Sequence, residues 1–287
     1  MSKIIIGTAA FGSSYGIKNG NEHTGEKEVA AIISEASNLG IRNYDTAPAY
    51  GSAESLIGKL LQPSKANEIS SKIGNLEDVT FESITRSVRN SLVRVNSESL
   101  WCLYLHDPVI YLNPKLEIYR SALIELRDQG LIQNIGISVY NQEEAVRNLE
   151  SFNEIDLVQI PENICDRRLL ESNFFQGAIK QGIKIVLRSI YLQGLLLMDA
   201  SKIPINLRDA QKSIHEIERK AAEFGLLNSE LCLAYAKSIG NIEGVIIGVS
   251  KNDQLANLSK DYSNLPKGWY ENIPRLPEKI LDPRLWK

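Results

Sequence analysis

The sequence predicts a (β/α)8 barrel, and three observations carry that expectation. Short apolar runs alternate with longer amphipathic ones from end to end, eight of the former in 287 residues. The runs are tens of residues apart, the separation that parallel neighbours require. They are almost wholly apolar rather than alternating, as strands covered on both faces are. Eight such units point to closure into a barrel rather than to an open doubly wound sheet. No Ser/Gly linker and no break in composition interrupts residues 1–287, which read as a single domain.

Strands are expected at 3–7, 41–45, 69–72, 100–105, 135–138, 157–160, 184–187 and 245–247, and helical patterns lie between them. The helix at 26–39 stops at Gly40, the residue type that best accepts the left-handed conformation after a helix. Ser52 stands before the helix at 53–61 as an N-cap. Helices follow at 80–95 and at 114–129, the latter opened by Asn113 and Pro114, a favoured first helical residue, and closed by Gly130. A helix at 142–149 follows the fifth strand, and one at 170–180 closes at Gly182. An extra charged helix is expected at 206–224, between the seventh and eighth units, before the last helix at 227–238. The tail at 265–287 contains Pro266, Pro274, Pro277 and Pro283 and is expected to be irregular.

Bulk properties exclude several classes. A net charge of -3 with mixed signs offers no basic face for nucleic acid or anionic lipid. No run approaches the ~18 apolar residues of a membrane helix, and the N-terminus lacks the blocks of a signal peptide. Cys102, Cys165 and Cys232 are odd in number and match no disulfide or metal-ligand spacing, so a reduced, cytoplasmic setting with no metal is expected. Cys102, inside an apolar run, reads as core. No heptad or apolar patch assigns an oligomeric state.

Four residues at or just beyond strand ends carry chemistry. They are Asp45 and Tyr50 in Asn43-Tyr44-Asp45-Thr46-Ala47-Pro48-Ala49-Tyr50-Gly51, Lys72 in Ile69-Ser70-Ser71-Lys72, and His106 in Leu105-His106-Asp107. C-terminal strand ends converge on one face of a barrel, where catalytic groups sit. Taken singly, Asp45 would be a turn residue, Lys72 a surface lysine, Tyr50 a turn aromatic and His106 a satisfied histidine. Together, a phenol beside an ammonium, backed by a carboxylate and flanked by an imidazole, can deliver a proton to a carbonyl oxygen.

With those residues the chain resembles the aldo-keto reductases, from Ile4 to Ile247. In that family the matching Asp, Tyr, Lys and His form a catalytic tetrad. The resemblance implies reduction of an aldehyde or ketone, with Tyr50 as general acid, Lys72 and Asp45 tuning it and His106 orienting the carbonyl. It also implies a nicotinamide hydride donor, because no side chain can supply a hydride. No GxGxxG follows a strand, so the Rossmann route is absent. Ser138 in Gly136-Ile137-Ser138 and Gln159 in Val158-Gln159-Ile160 resemble the carboxamide ligands, although the Asn common after that Ser is Val139 here. Arg188, with Ser189 beside it, stands where many relatives stack an aromatic ring, a role a planar guanidinium can take. The segment Gly248-Val249-Ser250-Lys251-Asn252-Asp253-Gln254 resembles the adenosine-phosphate segment. Lys251 favours NADPH, while Gln254 replaces a common arginine and leaves NADH possible.

Substrate specificity is expected from the loops at 13–23, 108–112, 195–206 and 264–287, with Tyr15, Trp269 and Tyr270 as pocket linings or packing. The opening Gly7-Thr8-Ala9-Ala10-Phe11-Gly12, the 188–194 segment and the short tail look like bacterial relatives linked to surface polysaccharides, which implies a keto-sugar or sugar-derived aldehyde as substrate. Two rivals stand beside the reductase. One is a nucleotide-binding barrel that senses redox state or scaffolds a partner; the other is an aldolase with Lys72 forming a Schiff base.

Overall fold

The computed structural model describes residues 3–14, 16–17, 23–74 and 76–286. Eight parallel strands close into a barrel in sequence order, each hydrogen-bonded to the next and β8 to β1. They are β1 (Lys3–Gly7), β2 (Asn43–Asp45), β3 (Glu68–Ile73), β4 (Leu100–Leu105), β5 (Ile132–Ser138), β6 (Leu157–Pro161), β7 (Lys184–Arg188) and β8 (Gly244–Gly248). The helices are α1 (Ala9–Gly12), α2 (Glu26–Asn38), α3 (Ala53–Leu60), α4 (Phe81–Val95), α5 (Leu116–Asp128), α6 (Gln142–Ser151), α7 (Asn173–Lys180), α8 (Gln211–Glu223), α9 (Asn228–Ser238) and α10 (Glu278–Leu281). The expected (β/α)8 barrel is the observed one, with α8 as the additional helix between the seventh strand and the eighth.

Two hydrophobic layers hold it together. The larger lies between the strands and the helices and includes Ile32, Ile57, Val88, Leu123, Ile137 and Leu233. A smaller cluster, among it Ile5, Cys102, Tyr104, Leu157 and Val186, packs together from alternate strand positions, as barrel interiors do. Gly136 makes room there: a Cβ on it would meet the Tyr104 ring at 2.4 Å. The three cysteines are all free and buried.

Several boundaries differ from the sequence expectation for identifiable reasons. Ile41 is not in β2; its N–H donates to the Ala36 carbonyl as the chain leaves α2 through Gly40 at φ +74°. Gly130 and Gly182 follow α5 and α7 in the same left-handed state, at φ +73° and +78°. Pro114 does not begin α5. The Asn113 side chain accepts the Lys115 N–H at 2.9 Å, which holds Pro114 in a turn ahead of the helix. Ser52 precedes α3 without a side-chain cap, whereas Ser172 does cap α7 and sets its start three residues past 170. The tail is more regular than expected. Pro277 precedes α10, and Pro283 opens a 3-10 turn to Leu285, each at the helix start where a missing N–H costs nothing.

No described helix is long and apolar enough to cross a membrane. Among the described residues no cluster of His, Cys, Asp and Glu could hold a metal ion.

Candidate active site

The strand registers gather the predicted residues at one end of the barrel. Gly7 pairs with Asp45 on one side and Gly248 on the other, Ser138 with Gln159, and Pro161 with Arg188. At the end of β2 the Asp45 carbonyl accepts both the N–H and the hydroxyl of Thr8 at 3.0 Å, which ties β2 to the chain leaving β1. Tyr50 sits on a 3-10 turn, Pro48–Tyr50, and Gly51 after it has φ +60°. Two glycines bring this turn against α1. A Cβ on Gly51 would meet the Gly12 carbonyl at 2.1 Å, and one on Gly12 would meet the Tyr50 carbonyl at 2.1 Å. Neither position tolerates a side chain, so this contact sets where the phenol points.

Lys72 and Asp45 form a buried ion pair at 2.5 Å, with residues only 2% and 4% exposed. The ammonium also donates to the Thr46 carbonyl at 3.0 Å and lies 5.0 Å from the centre of the Tyr50 ring. Burial alone would pull the Lys72 pKa down, but Asp45, with Tyr50 adding to it, outweighs burial and leaves it raised. The ammonium therefore stays charged in a dry site. The other Asp45 oxygen accepts from Gln159 Nε2 at 2.8 Å, and Gln159 Oε1 accepts from the Ser138 hydroxyl at 3.1 Å. Lys72, Asp45, Gln159 and Ser138 thus make one buried hydrogen-bonded chain contributed by four strands.

His106 is half-buried at the end of β4. Its pKa is lowered to about 4, first by burial and then by the Lys72 and Arg188 cations, with Asp45 opposing them. The imidazole is neutral at physiological pH and keeps one N–H to donate.

A cavity of about 470 Å³ opens over these groups, lined by Asp45, Tyr50 and His106. Ser138, Gln159, Arg188, Ser189, Gly248, Ser250 and Gln254 line the same cavity, which runs from the phenol to the loop after β8. Lys72 lies beneath the lining, and Lys251 stands exposed beside it. A larger, open depression of about 620 Å³, with Arg208, Lys212 and His215 in its wall, lies off the strand ends and contains none of the predicted groups.

Arg188 donates to the Val139 carbonyl at 2.8 Å and the Ser189 hydroxyl at 3.2 Å, while its buried Nε has no partner in the protein. An elongated cavity, an orphaned guanidinium N–H and an open Gly248, whose absent Cβ would meet nothing within 4 Å, suit a dinucleotide.

Sequence reasoning missed part of the rim. Arg284, from the tail, lines the cavity and lies 3.5 Å from the centre of the Tyr140 ring, with Arg188 at 4.5 Å from the same ring. The local signal was Asp282, whose side chain accepts the Arg284 N–H at 3.0 Å and folds the turn, but nothing in it says what the turn covers. Trp269 and Tyr270 do not line the cavity. Trp269 packs edge-on against Phe224 at 6.0 Å, and Tyr270 against Tyr235 at 4.8 Å. Of the loop at 108–112 none lines it either, and Tyr15 lies outside the described residues.

Comparison with known proteins adds the family context. Residues 3–267 match the model of the Aldo/keto reductase family. The chain is 24% identical over 275 residues to a probable voltage-gated potassium channel subunit beta of Oryza sativa subsp. japonica, covering 84% of this chain and 83% of that one. It is 27% identical to a D-threo-aldose 1-dehydrogenase of Pseudomonas sp over 62% of this chain and 64% of that one. In fold it resembles a thermostable aldo-keto reductase solved in complex with the inhibitor epalrestat. The TM-score there is 0.73 at 22% identity, covering 94% of this chain and 93% of that one.

Proposed function

The chain belongs to the aldo/keto reductase family, oxidoreductases that act on small carbonyl compounds with nicotinamide cofactors, and on that premise we propose that it reduces an aldehyde or ketone with Tyr50 as general acid. One observation carries the proposal: a buried, charged Lys72 held by Asp45 lies 5.0 Å from the Tyr50 ring, under a cavity shared with a neutral His106. That arrangement serves proton delivery to a carbonyl oxygen.

When bound, the dihydronicotinamide supplies the hydride that ends on the carbonyl carbon. Tyr50 gives its phenolic proton to the carbonyl oxygen. Lys72 stabilises the phenolate left behind, and Asp45 keeps the ammonium charged and aimed. Neutral His106 donates its N–H to the same carbonyl oxygen and sets the face presented. Such pre-aimed donors supply a large share of catalysis because they need no reorganisation as charge develops. Ser138 and Gln159 are the candidate holders of the carboxamide, with Arg188 and Ser189 at the ring. Gly248, Ser250, Lys251 and Gln254 would hold the adenosine phosphates. The sequence favours NADPH on the strength of Lys251, with NADH as its alternative. We read residues 1–287 as one such domain, working in a reducing cytoplasm on a free small molecule. A keto-sugar or sugar-derived aldehyde is the substrate class we favour, and the aldose named in the Pseudomonas relative supports a sugar carbonyl.

The test is cofactor oxidation on a panel of aldehydes and ketones, with Tyr50→Phe alongside. The variant should lose roughly 10²–10⁴-fold in turnover while cofactor affinity stays within twofold. Undiminished turnover would remove Tyr50 from the acid role. Nucleotide binding with no turnover on any carbonyl would instead favour the sensor or scaffold.

A further inference from the structure

Ser250, at the far end of the cavity, begins a run of three consecutive backbone N–H groups, and all three are already occupied by this chain's own side chains. Gln254 Oε1 accepts from Ser250 at 2.8 Å and from Lys251 at 3.1 Å, and Glu28 Oε1 accepts from Asn252 at 2.6 Å. Successive N–H groups of this kind make an anion-binding concavity when they are empty. Here an amide oxygen and a carboxylate fill it. Glu28 is brought there by the first turn of α2, and the preceding Thr24 hydroxyl also reaches the Ser250 carbonyl, at 3.5 Å. Among the described residues, no Lys or Arg pairs with the Glu28 carboxylate. Ser250 and Gln254 line the cavity, so Glu28 stands directly behind the place where the adenosine end of a dinucleotide would sit.

From this geometry we propose that Glu28 is a specificity-determining residue that selects a dinucleotide with a free ribose 2′-hydroxyl over its 2′-phosphate, making NADH the preferred donor. The proposal rests on the reading of this cavity as a nicotinamide dinucleotide site. A 2′-phosphate brings close to two negative charges at neutral pH. Binding it here requires Gln254 to give up two N–H groups and sets the phosphate beside a carboxylate that no described Lys or Arg pairs with. A 2′-hydroxyl has neither conflict, because it can donate to a carboxylate, the arrangement that carboxylates provide in other dinucleotide folds. Lys251 pulls the other way, but its ammonium is exposed, where water and salt screen a single charge. Against that one cation stand the occupied N–H groups and the Glu28 carboxylate, which reverses the NADPH expectation drawn from Lys251 alone.

Direct binding decides the matter independently of turnover. Dissociation constants for NADH and NADPH are measured by calorimetry on the wild type, Glu28→Gln and Glu28→Ala, with thermal melting confirming that each is folded. The wild type should bind NADH at least tenfold more tightly than NADPH. Both variants should gain about tenfold for NADPH while NADH is unchanged or weakened, and the NADPH gain should shrink as salt is raised. Equal or tighter NADPH binding by the wild type overturns the proposal, as does a parallel shift of both constants in the variants. Failure of the wild type to bind either nucleotide removes the dinucleotide reading itself, and this inference with it.

Discussion

Asp45 and Glu162 are two buried carboxyls, 4% and 0% exposed, one at the end of β2 and the other just past the end of β6. They survive burial by opposite means. Asp45 has an ammonium at 2.5 Å and an amide donor at 2.8 Å, and it stands at the wall of the cavity. Among the described residues Glu162 forms no ion pair. It accepts the Tyr235 hydroxyl at 2.5 Å and the Leu169 N–H at 3.2 Å, and its pKa is pushed up to about 8. Burial is the main cause, Asp166 adds to it, and the two donors only partly offset it. One carboxyl keeps its charge by holding a cation; the other keeps its proton. A charge is worth burying where chemistry uses it, and elsewhere in this barrel the neutral acid is the cheaper tenant.

The same isosteric change should therefore have opposite consequences at the two sites. The largest effect is expected for Asp45→Asn, which leaves the Lys72 ammonium buried without its counter-charge. A loss of roughly 3–5 kcal/mol in urea unfolding is expected, together with at least a hundredfold loss of turnover. A variant as stable as the wild type would mean that the pair is not the charged unit described.

Glu162→Gln should be nearly silent in acid and beneficial at alkaline pH. The folded pKa of about 8 lies above the ordinary 4.5, so the folded state holds a proton that the unfolded chain releases. The contribution of Glu162 is thus greatest below pH 4.5 and is lost as the pH rises through about 8. Over that window the group should lower wild-type stability by up to about 1.4 kcal/mol per pH unit. Unfolding curves between pH 5 and 8.5 should show the variant free of that slope, and identical slopes in both proteins would refute the neutral-acid description. The smallest effect is Tyr235→Phe, which removes one donor and should cost about 1 kcal/mol near neutral pH. If it costs as much as Asp45→Asn, the phenol is holding a charge and the contrast between the two sites collapses.

The reach of sequence reasoning differed between these regions for physical reasons. Asp45, Tyr50, Lys72 and His106 were readable because each follows a strand, and a closed parallel barrel converts that local fact into a shared location. Glu162 was unreadable although it too follows a strand, since its meaning depends on Tyr235, which lies 73 residues on and in α9. The Ser138–Gln159–Asp45 chain was seen only as separate residues, because its Gln159–Asp45 link crosses the barrel interior between β6 and β2, which are not neighbours. The contact of Glu28 with the Asn252 N–H was invisible for a similar reason, because 224 residues separate the two.

Periodicity, apolar runs and punctuation were enough to specify eight strands, their parallel pairing and the end of the barrel at which reactive residues collect. These are properties of the local chain, set by backbone geometry and by which faces must avoid water. Tertiary packing alone decided that the proline-rich tail folds Arg284 over Tyr140, that Trp269 and Tyr270 serve the core, that Gly12 and Gly51 clamp the turn carrying Tyr50, and that Glu28 accepts the Asn252 N–H beyond β8. Each of these is a contact between segments far apart in sequence, whose energy comes from complementary shape and charge that no local window contains.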